Sequence, residues 1–539
     1  MSPRKTTGAI FLLAVFFRIL YVFLFPPQGT DHEMIHTAVD NLLSGNGLAF
    51  AMANPQDLSS TLYQPMNEWP PLVAYLLSFV KAMVGSAHAA DMIIMSLGML
   101  FLLVVLNAIM KVLKLNDRVR GFLWILIAAN PEPFSNLGIT DLYGALFMLW
   151  GTLFCLRFLQ QPQVRTSQLI VASFFFFLPA AFRYQYYPVI FAFPVFLIAA
   201  AKYTGNKQLL SKSILSFSIV FFLLAAQVAF LYQQTGTGAL VAEDKIGFYP
   251  ENLIWFYPFI TKGFLNVSYI ENTLIGWNKM AIFPYYIFSF LLTNFILYKL
   301  FSFLFKQLKK GMASDSTNTG LVTINLGRML LLFITSAVFG LLIMMALRYS
   351  PQINPYGTFT YVNEGRYFIV ASLLMMILLS SVAQDYLLPR ISFKLPLKQI
   401  AAGGFMIFNL ALFGKFLYNV TSQSIKDPAV RWVAEKEMVH NEIETLHRKY
   451  NLPVVAISSQ KYFLYQSAAD FGMVKNIEQL KQTGIRTSKP VQLLIITWAH
   501  PNKEELQFIK QNGATEVFAG KKCKLYHTIV NNTTAVASL

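Results

Sequence analysis

Charge is what this sequence lacks. Of its 539 residues only 13% are Asp, Glu, Lys or Arg, about half the share of an ordinary soluble domain. A chain so poor in charge, with 55% hydrophobic residues and 49 Phe, has lipid as its main solvent. Acids are scarcer than bases, 26 against 43, for a net charge of +17. In a soluble protein that excess would point to nucleic acid. Here the bases sit in short segments between apolar runs, which excludes that reading. There are two cysteines, Cys155 in an apolar segment and Cys523 near the end, so neither a disulfide framework nor a thiolate metal site is spelled out. A cleavable signal is also lacking. Arg4 and Lys5 precede the first apolar stretch, but Pro26-Pro27 follows with no small-residue cleavage site, so that stretch reads as the first span.

What the sequence has is long apolar runs. A bilayer core of about 30 Å needs roughly 20 apolar residues per helix, and candidates fall at 8–25, 91–113, 119–138, 141–160, 168–182, 187–201, 212–232, 279–304, 328–347, 367–385 and 400–420. The expected fold is an α-helical polytopic membrane protein of about eleven spans with a small C-terminal α/β domain outside the cytoplasm. The division falls at 1–420 and 421–539. With the N-terminus inside, the inner segments hold nineteen basic residues and the outer loops before the tail hold seven. The positive-inside rule therefore gives N-in and C-out.

Residues 27–90 form a long first outer loop with two interfacial helices. Thr30 to Leu43 reads as one, with Thr30 and Glu33 as a capping box and Gly45 as its stop. Pro70-Pro71 opens the second, which ends at Gly85. Its fourteen residues span about 21 Å, too little to cross comfortably, so it is placed flat in the interface. In the tail, Ala429 to Tyr450 is an amphipathic helix. Strand-like runs follow at Val454–Ile457, Val491–Thr497 and Lys524–Val530, with a helix after Pro501. The tail shows no Gly-rich phosphate loop and no catalytic motif.

Charges near a membrane are costly unless they face water or a partner. Asp31, Glu33, Glu68, Asp141 and Glu364, with Arg183, Lys245, Arg348 and Arg366, all fall at outer ends of the expected spans, where one cavity could gather them. Arg18 lies inside the first span and needs an internal partner. Each has a plainer reading. Asp31 and Glu33 can cap a helix, Asp141 can cap the fourth span, and Arg348 and Arg366 can anchor at the interface.

Four stretches carry a family resemblance. Asp31-His32-Glu33 through Ser44-Gly45-Asn46-Gly47 resembles the first outer loop of GT-C type glycosyltransferases, such as protein O-mannosyltransferases and lipid A aminoarabinose transferases. In these an acid after the first span precedes an amphipathic helix and a Gly about fourteen residues on. Glu68-Trp69-Pro70-Pro71-Leu72 is similar to their second interfacial helix. Thr140-Asp141-Leu142 and Glu364-Gly365-Arg366-Tyr367 resemble their acid at the fourth span and their Arg-Tyr near a late outer loop. The departures are His32, which interrupts an Asp-Glu pair, and Ile35 in place of a Tyr.

The resemblance implies a multi-pass enzyme of the cell's inner membrane. It would transfer a hexose or pentose from a polyprenyl-phosphate donor to a lipid, glycan or protein acceptor. Asp31 would be the catalytic base. Arg366, then Arg183, would hold the lipid phosphate. Glu33, Glu68, Asp141 and Glu364 would help to bind substrate. No cofactor is required, and a single-phosphate donor does not itself demand a divalent metal. Two other classes stay open. His32-Glu33-Met34-Ile35-His36 matches the H-E-x-x-H zinc peptidase pattern, with Asp40 or an acid from another loop as a further ligand. A non-catalytic lipid-sugar transporter would favour inverted repeats, and none is visible.

Overall fold

The computed structural model describes residues 3–24, 30–54, 56–67, 69–130, 132–134, 137–161, 165–235, 247–255, 257–265, 283–313, 319–348, 365–389, 403–411, 414–415, 418, 432–458, 471–473, 486–521 and 523–531, without some side chains. The calls at Glu68, Lys245 and Glu364 lie outside these residues. Asp31 and Glu33 are described only as part of their helix.

In chain order the helices are α1 (Pro3–Leu24), α2 (Thr30–Leu43), α3 (Pro71–Val84), α4 (Ala87–Val112), α5 (Asp117–Ala129), α6 (Ile139–Leu159), α7 (Thr166–Phe182), α8 (Ala192–Thr204), α9 (Lys207–Thr235), α10 (Phe259–Phe264), α11 (Phe283–Ala313), α12 (Thr319–Arg348), α13 (Gly365–Val382), α14 (Trp432–Tyr450) and α15 (Lys503–Gln511). Among the described residues, eight helices are long and apolar enough to cross a membrane. One call is shorter than expected. The expected span 119–138 is the 13-residue α5, which stops where Asn130 caps it in extended backbone. The short expected span 168–182 is the 17-residue α7. The chain divides into two compact units.

The first unit takes in Met1–Pro27, Asn67–Val73 and Asp91–Phe416 and is helical. Its helices approach closely where glycine allows it. On α6, a methyl group at Gly151 would lie 2.7 Å from the backbone Cα of Phe176 on α7. Arg18 finds its internal partner on α5. Its guanidinium donates to the carbonyl of Ala128 at 2.7 Å and lies over the Phe134 ring at 4.7 Å. A second buried arginine, Arg328 on α12, ties that helix to the end of α13. It donates to the Ser381 hydroxyl (2.8 Å), the Ser381 carbonyl (2.9 Å) and Asn325 (2.9 Å), and pairs with Asp385. Asp385 sits in a π-helical turn, Ala383–Leu387, that continues α13. In that turn Gln384 accepts from the backbone N–H of Asn116 between α4 and α5.

The second unit takes in Gln28–Met66, Ala74–Ala90 and Leu417–Leu539. It holds β1 (Ala49–Asn54), β2 (Asp57–Pro65), β3 (Val454–Ser458), β4 (Phe471–Met473), β5 (Val491–Trp498), β6 (Thr515–Ala519) and β7 (Cys523–Val530) in one sheet of order β2-β1-β4-β3-β5-β7-β6. Alternation along the strands builds two cores. Val455, Ile457, Leu493 and Ile495 pack with Phe508 and Ile509 of α15, while Val454, Ala456, Leu494 and Ile496 pack with Val439, Ile443 and Leu446 of α14. The sheet is therefore covered by a helix on each face. The β1–β2 hairpin comes from the first loop. It joins through Met52 opposite Gly472, and through Asp57, whose carboxylate accepts from the backbone N–H (2.9 Å) and hydroxyl (2.8 Å) of Ser488. Asn41 on α2 donates to the carbonyl of Ala49 on β1 at 2.7 Å, so α2 is bonded to the hairpin.

Candidate active site

Asp141 is the centre of a charged cluster in the helical unit. Its residue is 1% exposed and lies in the first turn of α6, where an acid favours the helix N-terminus. One carboxylate oxygen accepts from the backbone N–H of Gly138 at 3.2 Å, so the capping reading holds. The same carboxylate also pairs with the guanidinium of Arg183, which follows α7. Arg183 donates further to the Thr140 hydroxyl at 3.3 Å. Arg366, at the start of α13, brings a second guanidinium to 3.9 Å from the same oxygen that Gly138 bonds, while Arg183 takes the other. The two cations are layered on one ring, with Arg183 4.9 Å and Arg366 5.1 Å from the centroid of Tyr367. Arg366 also donates to the Tyr367 hydroxyl at 3.3 Å.

The backbone around this cluster is cut to fit. On α6, one turn after Asp141, a methyl group at Gly144 would lie 2.8 Å from the buried Tyr186 ring and 3.7 Å from Cβ of Arg183. Only glycine lets the turn Tyr184–Tyr186 seat Arg183 against α6. A further buried cation lies on α10. Lys262 on α10 places its ammonium 4.6 Å from the centre of the Tyr257 ring. That ring stacks on Phe368, two residues beyond Arg366, at 5.1 Å. Asn130 fixes α10 by donating to the carbonyls of Lys262 (2.6 Å) and Gly263 (3.0 Å). The segment ahead of α10 is bonded to the end of α12, Tyr249 N–H to the Leu347 carbonyl at 2.8 Å and Asn252 to that of Ala346 at 2.7 Å.

In the other unit, His32 and His36 are both buried on α2, with their Nε2 atoms 3.1 Å apart. That separation fits an N–H···N hydrogen bond, and it also fits two ligands of one cation. Asp40, the acid expected to complete a zinc site, is instead paired with Lys81 of α3. It is therefore not offered as the third ligand.

The chain resembles a solved structure over almost its whole length. Against the crystal structure of ArnT from Cupriavidus metallidurans bound to undecaprenyl phosphate the TM-score is 0.55 at 11% identity, covering 98% of this chain and 99% of that one. Against the same protein in the apo state it is 0.50 at 14% identity, covering 97% and 98%. The fold is GT-C-like. No family model and no curated protein matches the sequence.

Within this GT-C-like fold, three of the site residues expected from sequence come together: Asp141, Arg183 and Arg366. Glu68 and Glu364 lie outside the described residues, as do the side chains of Asp31 and Glu33. Arg348 ends α12 with its side chain exposed. Sequence reading missed Lys262 and Tyr257, and counted Lys262 only as a loop charge. The available signal was Tyr257-Pro258 and Lys262-Gly263, an aromatic and a cation five residues apart in a stretch too short to span.

Proposed function

We propose that this chain is a membrane glycosyltransferase that moves a sugar from a polyprenyl-phosphate donor to a lipid, glycan or protein acceptor on the outer face of the membrane. The observation that carries the reading is the convergence of two guanidiniums, both beside the Tyr367 ring, on buried Asp141 in a GT-C-like fold. The neighbour in that fold was solved with undecaprenyl phosphate. On this reading the N-terminus is cytoplasmic, and residues 421–539 form an outer domain beside a catalytic region of 1–420.

The acceptor's hydroxyl or amine attacks the anomeric carbon and gives its proton to Asp31. The bond from that carbon to the phosphate oxygen breaks, and its electron pair leaves with the lipid phosphate. Fixed cations stabilise that growing charge. Arg366 and Arg183 suit the role because a guanidinium offers a forked pair of donors to phosphate. Asp141 is already engaged by Arg183 and Gly138, which favours a role in holding the arginines over one in binding the sugar. Glu33, Glu68 and Glu364 are left to orient sugar hydroxyls.

The test is transfer from a polyprenyl-phosphate sugar by purified variants. Arg366→Lys keeps the charge but loses the fork, so transfer falls strongly, and Arg366→Ala abolishes it. Asp31→Asn abolishes transfer while preserving the fold, since Asn caps helices as well as Asp does. Activity at the unaltered level in Arg366→Ala or Asp31→Asn would end this assignment. Loss of activity in step with zinc removal would favour the peptidase reading of His32 and His36.

A further inference from the structure

The helical unit carries a groove at the end of the bundle away from the Asp141 cluster. Arg366 starts α13, whereas Arg328 of α12 bonds to Ser381 at that helix's far end. The two helices are thus antiparallel, and the first half of α12 lies at the far end. The groove is formed there, by Leu326, Met329 and Phe333 of α12 together with Ala199 and Tyr203 of α8 and Ser302 of α11, and encloses about 350 Å³. Tyr203 and Phe305, which both line it, meet edge-on at 4.9 Å.

The surroundings of this groove are basic. Lys202 adjoins Tyr203 on α8, and Lys306 adjoins Phe305 on α11; all are exposed. Lys299, two turns earlier on α11, lies over the Phe295 and Tyr298 rings at 5.3 and 5.8 Å. Among the described residues, the carboxylates at this end are Asp117 and Asp385, already paired with Arg120 and Arg328. An apolar slot with an ammonium rim matches a molecule with a hydrocarbon tail and an anionic head, because a basic rim between helices attracts anionic lipid headgroups.

We infer that this groove is a binding site for an anionic membrane phospholipid, with one acyl chain in the slot and the headgroup at Lys202, Lys299 and Lys306. It is separate from the proposed donor site, and its test does not depend on transfer activity.

The experiment is native mass spectrometry of the full chain with phosphatidylglycerol, phosphatidylethanolamine and a polyprenyl phosphate supplied in turn. Phosphatidylglycerol should be retained in preference to phosphatidylethanolamine of the same chain length. A lysine near a charged surface contributes about 1 kcal/mol of attraction, so Lys202→Ala with Lys299→Ala should reduce that preference roughly thirtyfold. Ala199→Trp should remove retention of both phospholipids. Ser302→Trp blocks the slot from α11 and serves if the first variant does not fold. Equal retention of the two phospholipids, retention unaffected by both tryptophans, or a tryptophan-sensitive preference for polyprenyl phosphate would each overturn the inference.

Discussion

Removing the Asp141 carboxylate should cost more stability than any single hydrogen bond in the protein supplies. The residue is 1% exposed and its carboxylate faces two guanidiniums with side-chain exposures of 11% and 21%. Breaking a buried ion pair by removing one partner costs about 3–5 kcal/mol, because the other charge is left uncompensated. Partial exposure of the arginines places Asp141→Ala near the lower end, about 3 kcal/mol, and loss of the Gly138 cap adds about 1 kcal/mol. Asp141→Asn keeps an acceptor for Gly138 and should lose about 1 kcal/mol less than Ala. Arg183→Leu combined with Asp141→Ala removes both a charge and its partner. The double variant should therefore be more stable than the sum of the single losses, by about 1–3 kcal/mol. Thermal unfolding in detergent, followed by intrinsic fluorescence, gives the four transitions of the cycle. Equal melting of Asp141→Ala and the unaltered protein, or strict additivity in the cycle, would refute the claim that this pair organises the site.

Other expectations follow from the packing and the pH behaviour. Gly151→Ala should destabilise by about 1–3 kcal/mol through overpacking, since the new methyl meets backbone on α7. Gly340→Ala on α12, with nothing within 4 Å, should be neutral or stabilising by up to about 1 kcal/mol; equal effects would contradict the contact. Burial, with Lys449 nearby, lowers the pKa of His527. The unfolded chain then binds more protons than the folded one below the ordinary histidine pKa. Stability from this residue is complete above about pH 6.5 and declines as pH falls, so the difference in melting between pH 7.5 and 5 should shrink in His527→Gln. The bonds from Ser59 and Ser488 hold the Asp57 carboxyl well below its usual range, so the clasp stays intact through mild acid and weakens only as pH falls through that depressed value. Asp57→Ala should raise amide exchange across residues 49–65 at neutral pH, and unchanged protection would exclude a clasping role.

The legible parts of the fold were those written in local pattern. Thr30–Leu43 and Pro71–Val84 begin and end where their caps and prolines indicate. The tail strands at Val454, Val491 and Cys523, and the helix after Pro501, follow runs of alternating or continuous apolar residues. The β1–β2 hairpin was not legible. Ala49–Asn54 is rich in Ala rather than β-branched residues, and beyond its local pairing with β2 the hairpin is joined to the tail through Met52 opposite Gly472 and Asp57 with Ser488, contacts that propensity does not record. At the site, Asp141, Arg183 and Arg366 stood out because charges at span ends need a reason. Lys262 did not, because its burial depends on Tyr257 and Asn130, which come together only in three dimensions.

The mixed sheet also constrains how often the chain can cross the bilayer. Hydrogen-bonded strands occupy one aqueous compartment, since open sheet edges are not tolerated in hydrocarbon. The hairpin at 49–65 and the strands from 454 onward share one sheet, so an even number of crossings must separate them. Seven long apolar helices, from Ala87 to Leu387, lie in that interval among the described residues. If all seven cross, an odd number of further segments must cross as well. With Pro71–Val84 lying flat in the interface, Asp117–Ala129, Thr166–Phe182 and the apolar stretch 403–411 are the remaining apolar segments among the described residues. Crossing by all three gives ten passages, the number that eleven spans require.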